Sequence, residues 1–134
     1  AANQRSLEQL GEHLHGTNVG GAYNNVLRHR LADLWVSNEV GRLLSYRIAW
    51  MQEAGRVPNY EASVIKIFAT ELGQKILNFG VNVFGPSGAL EPGSKYVPLD
   101  GVMEKGHLSA GSPTIYSGSS EIQRNIMAKA VLGL

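Results

Sequence analysis

No cysteine occurs among the 134 residues. That excludes disulfides, thiolate metal sites and a cysteine nucleophile, and it fits a reducing cytoplasmic setting. Net charge is nearly absent too: 12 Lys and Arg against 11 Asp and Glu give +1, with no block of one sign. Nothing in that balance points to nucleic acid or to an anionic membrane surface. No apolar run approaches the ~20 residues of a membrane-spanning helix, and the N-terminus has no signal-like apolar stretch. Aromatic residues make up only 7%, and Trp35, Trp50, Phe68 and Phe79 fall where a core would use them. The nucleophile elbow, the phosphate-binding P-loop and the H-E-x-x-H zinc motif are all missing. His13 and His15 sit two apart, on different helical faces, so they read as surface histidines and no metal site is expected.

What is present is the material of a single globular domain. Hydrophobic residues are 43% and charged residues 17% of the chain, and a chain of this size buries roughly two-thirds of its unfolded surface. Residue 1 is an alanine and the sequence starts within a helical pattern. Residues 1–134 are therefore expected to form one helical bundle, the C-terminal part of a longer polypeptide.

Leu7, Leu10 and Leu14 recur at helical spacing within a short helix over about residues 4–14. A long pattern over residues 25–54 carries Leu27, Leu31, Leu34, Trp35, Val40, Leu43, Leu44, Ile48 and Met51, with Gly55 as its stop and Pro58 beyond. Asn59 reads as the cap of a second long helix, with Glu61 in its first turn and a stripe of Ile65, Phe68, Leu72, Ile76, Phe79 and Val83. Gly41, Gly73 and Gly80 should admit close neighbours. Residues 85–113 are rich in Gly, Pro and Ser without clear period, a long connection that Leu90, Tyr96, Val97, Leu99, Val102 and Met103 could tack down. A final helix over residues 119–132 has Ser119 or Gly118 at its start and Gly133 at its end. No strand-like alternation competes. The expected fold is all-α, an up-and-down four-helix bundle with a long loop before the last helix.

Gly118-Ser119-Ser120, opening that last helix, leaves free N–H groups beside short side chains, an arrangement that can hold an anion but more often only caps a helix. Glu121 suits a helix start, and Glu8 with Glu12 forms an exposed acidic pair.

The run Tyr116-Ser117-Gly118-Ser119-Ser120-Glu121-Ile122-Gln123-Arg124-Asn125-Ile126 resembles the Y-x-G-T-S-E-I-Q-R-N-I segment of acyl-CoA dehydrogenases, and the chain ends in a similar Leu-Gly-Leu. Upstream, Leu31-Ala32-Asp33-Leu34, Ala49-Trp50 with Gly55, and Ala62-Ser63 with Lys66 are similar to the family's L-A-D-M, A-A-W with G, and A-S-x-x-K. Phe84-Gly85 with Gly88 resembles its L-G-G-x-G turn. The resemblance spans about Leu27 to Leu134 and implies the C-terminal bundle of an FAD-dependent acyl-CoA dehydrogenase. The whole enzyme would take acyl-CoA to trans-2-enoyl-CoA, as a dimer or tetramer, and pass electrons to an electron-transfer flavoprotein or similar acceptor.

By the same resemblance Gly118, Ser119 and Glu121 would contact FAD, and Asn82 and Gly85 would meet the flavin of a neighbouring subunit. Pro86 stands where the family has a second glycine and brings no N–H. The family's R-x-x-F-G stretch would fall between Leu14 and Asn18, where there is no Arg or Phe. Ser117 occupies the position of the usual Glu base, and a hydroxyl has no useful basicity near neutral pH. No catalytic residue is therefore expected in this chain. The base would come from an earlier helix, from a partner in a mixed oligomer, or not at all. The competing expectation is a non-catalytic partner subunit or helical interaction module.

Overall fold

The computed structural model describes residues 2–16 and 25–133. Among them are five α-helices and three short 3-10 turns, and no strand. The all-α reading holds. The helices are α1 (Ala2–Gly16), α2 (Asn25–Glu53), α3 (Tyr60–Val83), α4 (Val102–Ser109) and α5 (Ser120–Leu132).

α3 is the hub and packs against each of the other four helices. Its residues explain why. Leu72, Ile76 and Phe79 are buried on one side, where they meet Leu7, Leu10 and Leu14 of α1, Leu31 of α2 and Met103 of α4 in one core. These side chains recur three or four residues apart, which brings them onto one helical face. Gly80 is what lets α4 approach, since a Cβ there would lie 2.8 Å from Met103 Sδ.

α2 and α3 form a hairpin. α2 ends in a Schellman motif, with Gly55 left-handed (φ 69°), Arg56 N–H donating to the Met51 carbonyl at 2.8 Å and Gly55 N–H to that of Gln52 at 3.0 Å. Asn59 precedes α3 but does not cap it. Its backbone (φ −108°, ψ −86°) lies outside the extended region that a capping residue uses, and its side chain makes no capping bond. Glu61 meets the helix start instead. Its carboxyl is held below the usual carboxylate range, chiefly by its own backbone N–H.

Three further details depart from the sequence expectations. The long connection contains α4, anchored by Met103 at 1% exposure, whereas Tyr96 stays outside at 72%. Trp50 is not a core residue. It is 58% exposed, with the Arg56 guanidinium 5.9 Å from its ring centre, because α1 and α3 cover only one side of α2. His13 is half-buried rather than on the surface, its ring edge-on to Phe84 with centroids 5.0 Å apart.

Candidate functional site

The turn that opens α5 is built from both sides. Ser119 has extended backbone (φ −62°, ψ 161°), and its Oγ accepts from Ile122 N–H at 3.4 Å, a serine N-cap as expected. The two residues before it are left-handed, Ser117 at φ 56° and Gly118 at φ 88°. Left-handed backbone costs a serine about 1 kcal/mol. Position 118 suits glycine chiefly because L side chains rarely adopt its φ of 88°; a Cβ there would also have to displace the end of the Gln123 side chain, whose Nε2 lies 2.5 Å away.

Two side chains brace this strained turn. Lys66 Nζ, reaching from α3, donates to the Gly118 carbonyl at 2.6 Å. Gln123 Nε2, from the first turns of α5, donates to the Ser117 carbonyl at 3.3 Å. The N–H groups of Gly118 and Ser119 have no acceptor among the described residues. They stand at the positive end of a 13-residue helix, the place where backbone favours an anion.

Glu121 faces the same place as an exposed carboxylate. The Ser119 hydroxyl, and then its own backbone N–H, hold its carboxyl below the ordinary range against an opposing effect of burial, with Arg124 and Lys66 adding smaller attractions. It is an acceptor. Ser120 is buried, and its Oγ has no partner in the structure. It lines a cavity of about 310 Å³ with Gln74, Thr114 and the ion-paired Arg124 and Glu71, which meet at 2.6 Å. Ser117 is exposed and is engaged through its carbonyl.

Asn82 and Gly85 lie at the other end of α3. Asn82 donates from its amide to the Asn78 carbonyl at 2.7 Å and Oδ1 at 3.1 Å, while Gly85 is left-handed (φ 56°) and open. Pro86 sits in the first turn of the 3-10 segment Gly85–Ala89, where its missing N–H has no partner to lose. Lys66 and Asn82 are sixteen residues apart on α3, about 24 Å at ~1.5 Å per residue. The structure therefore does not bring the five expected contact residues together. It makes two separate patches, Gly118, Ser119 and Glu121 in one, Asn82 and Gly85 in the other.

Among the described residues no cluster of His, Asp and Glu could hold a metal, and no helix is long and apolar enough to cross a membrane. The position expected for the R-x-x-F-G stretch, between Leu14 and Asn18, lies partly outside the described residues, which stop at Gly16 there.

A family model described as "Acyl-CoA dehydrogenase, C-terminal domain" matches residues 1–132. The chain belongs to this family. It is 36% identical over 105 residues to the short/branched chain specific acyl-CoA dehydrogenase, mitochondrial, of Bos taurus, covering 78% of this chain and 22% of that protein. Against the probable acyl-CoA dehydrogenase YngJ of Bacillus subtilis (strain 168), identity is 29% over 106 residues, covering 79% and 26%. Among solved structures, a chain of the ChsE4-ChsE5 complex from Mycobacterium tuberculosis superposes with a TM-score of 0.88 at 26% identity, over 98% of this chain and 35% of that one. The Tcur3481-Tcur3483 steroid ACAD, at 21% identity and a TM-score of 0.86, shares the fold over 98% of this chain and 35% of that one. The chain thus spans about a quarter of the curated relatives and a third of the solved ones.

As an acyl-CoA dehydrogenase C-terminal domain, the chain carries residues whose part the sequence reading did not see. Lys66 stood in the A-S-x-x-K match and Gln123 in the last-helix match, but neither spacing reveals that both reach the same turn. The buried Ser120 was hidden in a run of three polar residues.

Proposed function

We propose that this domain is the flavin-contacting and oligomerising part of an FAD-dependent acyl-CoA dehydrogenase, and that it supplies no catalytic base. The observation that carries the reading is the turn at Ser117–Ser119, with two N–H groups lacking an acceptor at the start of a capped helix. These donors, with Lys66 nearby, fit the charge of a cofactor diphosphate. Glu121 does not fit an anion. As an ionised acceptor it suits a hydroxyl or amino group of the nucleotide. Bound FAD would supply the acceptor for the hydride from the acyl Cβ.

The separation of the two patches supports an assembly. A single cofactor contacted at α5 of one subunit would meet Asn82 and Gly85 of another. The outer face of α2 supports it too: Val36, Leu43 and Trp50, seven residues apart along one stripe, are 65%, 62% and 58% exposed, with Val40 and Tyr46 beside them. A seven-residue apolar period is the pattern by which helices pair, and the occupant we assign is the bundle of a neighbouring subunit of the same fold. The substrate would be an acyl-CoA and the electron acceptor an electron-transfer flavoprotein or similar protein. A cytoplasmic setting belongs to the same proposal.

A second reading, a non-catalytic subunit lending its flavin contacts to a competent partner, is favoured by one observation: Ser117 where the base is expected. Full-length protein purified with its natural partners should show flavin absorbance in the visible band. A colourless, fully folded protein would overturn the flavin assignment. Activity of the purified full-length chain alone, against activity only with a partner present, separates the two readings.

A further inference from the structure

The left-handed backbone of Ser117, continued by Gly118, is for a serine an unfavourable conformation that persists only where its surroundings hold it. Here the holding groups are two side chains on different helices, Lys66 on α3 and Gln123 on α5, and each takes one carbonyl of the turn. The peptide bonds are trans, so each N–H points opposite to the carbonyl of its own peptide unit. The Ser117 carbonyl bound by Gln123 therefore turns the Gly118 N–H away from Gln123. The Gly118 carbonyl bound by Lys66 likewise turns the Ser119 N–H away from Lys66. These are the two N–H groups without an acceptor.

Lys66 is also unusual in its choice of partner. Its ammonium donates to a neutral carbonyl at 2.6 Å, and no ion pair within the conventional distance involves it among the described residues. A cation on the carbonyl oxygen draws electron density through the amide and makes the N–H of the same peptide, that of Ser119, a stronger donor. Position and polarisation act in the same direction.

We propose that Lys66 is a positioning residue for the cofactor: with Gln123 it fixes the Ser117–Ser119 turn so that the Gly118 and Ser119 N–H groups present to the diphosphate, without Lys66 touching it. This rests on the flavin contact proposed above and goes one layer behind it. An ordinary structural tie between α3 and α5 would act differently. Glu71 and Arg124 already make such a tie at 2.6 Å, and it does not engage the turn.

The test titrates FAD into full-length apoprotein, following flavin fluorescence, with urea unfolding of each apoprotein alongside. Lys66→Met should weaken FAD binding about tenfold or more, the scale of one charge-assisted hydrogen bond. Lys66→Arg keeps charge and donors and should recover to within about threefold of wild type. Gln123→Met, on the accessible side of α5, should weaken binding about threefold to tenfold. It keeps the question open to refutation should Lys66→Met not fold. Glu71→Gln removes the neighbouring tie and should bind FAD as wild type does. If wild type binds FAD and Lys66→Met (or, where that does not fold, Gln123→Met) binds equally well, the positioning role is overturned while flavin binding stands. If Lys66→Met, Lys66→Arg and Glu71→Gln all weaken binding in parallel with lost stability, the effect is loosening between helices and the proposal fails. If wild type itself binds no FAD, both the flavin assignment and this inference fall.

Discussion

Ser117 carries two costs in one residue, a left-handed backbone and the absence of a carboxylate. Ser117→Gly should relieve the first. The net gain is about 0.5 kcal/mol, because glycine also gives the unfolded chain more freedom, and a raised urea midpoint would register it. On the proposal that the hydroxyl is not the base, the full-length protein with its natural partners should keep its turnover within about threefold; a loss of a hundredfold would return a catalytic role to Ser117. Glu121 has a pH signature. Its carboxyl is depressed in the folded protein by Ser119 and the helix start, so its contribution is present above the ordinary carboxylate pKa near 4.3 and is lost as pH falls through the lowered value. Wild type should therefore be more stable than Glu121→Gln at pH 7, with the difference closing below about pH 4, as thermal melts at a series of pH values would show. A difference independent of pH would contradict this. The turn at Gly118 and the Ser119 cap were legible from the motif. The bracing by Lys66 and Gln123 was not, since it depends on where residues fifty-two and six positions away fold back.

At the scale of elements, α3 explains most of the order. It touches every other helix, and its stripe of Leu72, Ile76 and Phe79 could be read directly from helical spacing. α2 was equally readable as a helix, and its Gly55 stop was correct. Its burial was not, because period alone cannot say which of two apolar faces has a neighbour: Leu31 and Met51 went inside, Val36 and Trp50 outside. α4 escaped notice because eight residues carry a single deeply buried anchor, Met103, and left-handed Leu99 and Asp100 lie just before it. Asn59 shows the limit of a residue preference, since its backbone angles deny it the cap. Met103→Ala should cost about 2–4 kcal/mol, the range for emptying a well-packed core site. Hydrogen exchange should then report faster opening over α4 and the end of α3, with α5 less affected. Uniform exchange throughout would mean α4 is not a separable unit.

At the scale of the whole molecule, the outer stripe of α2 leaves Val36, Leu43 and Trp50 exposed, and on the proposed reading a neighbouring subunit covers it. Val36→Lys with Leu43→Lys in the full-length protein should lower the assembled mass seen by light scattering, with helix content unchanged. An unchanged mass would place the subunit contact elsewhere. The two patches at opposite ends of α3 fit this picture, because a cofactor shared between subunits needs a contact at each end.

The most direct measurement is the FAD dissociation constant of full-length apoprotein carrying Ser119→Ala with Glu121→Lys, set beside its thermal stability. A flavin-contacting turn requires binding to weaken about tenfold or more, while stability falls only by the loss of the Ser119 cap, about 0.5–2 kcal/mol, and of a favourable surface charge. FAD affinity equal to wild type, with only the stability lowered, would show that the turn caps a helix and nothing more.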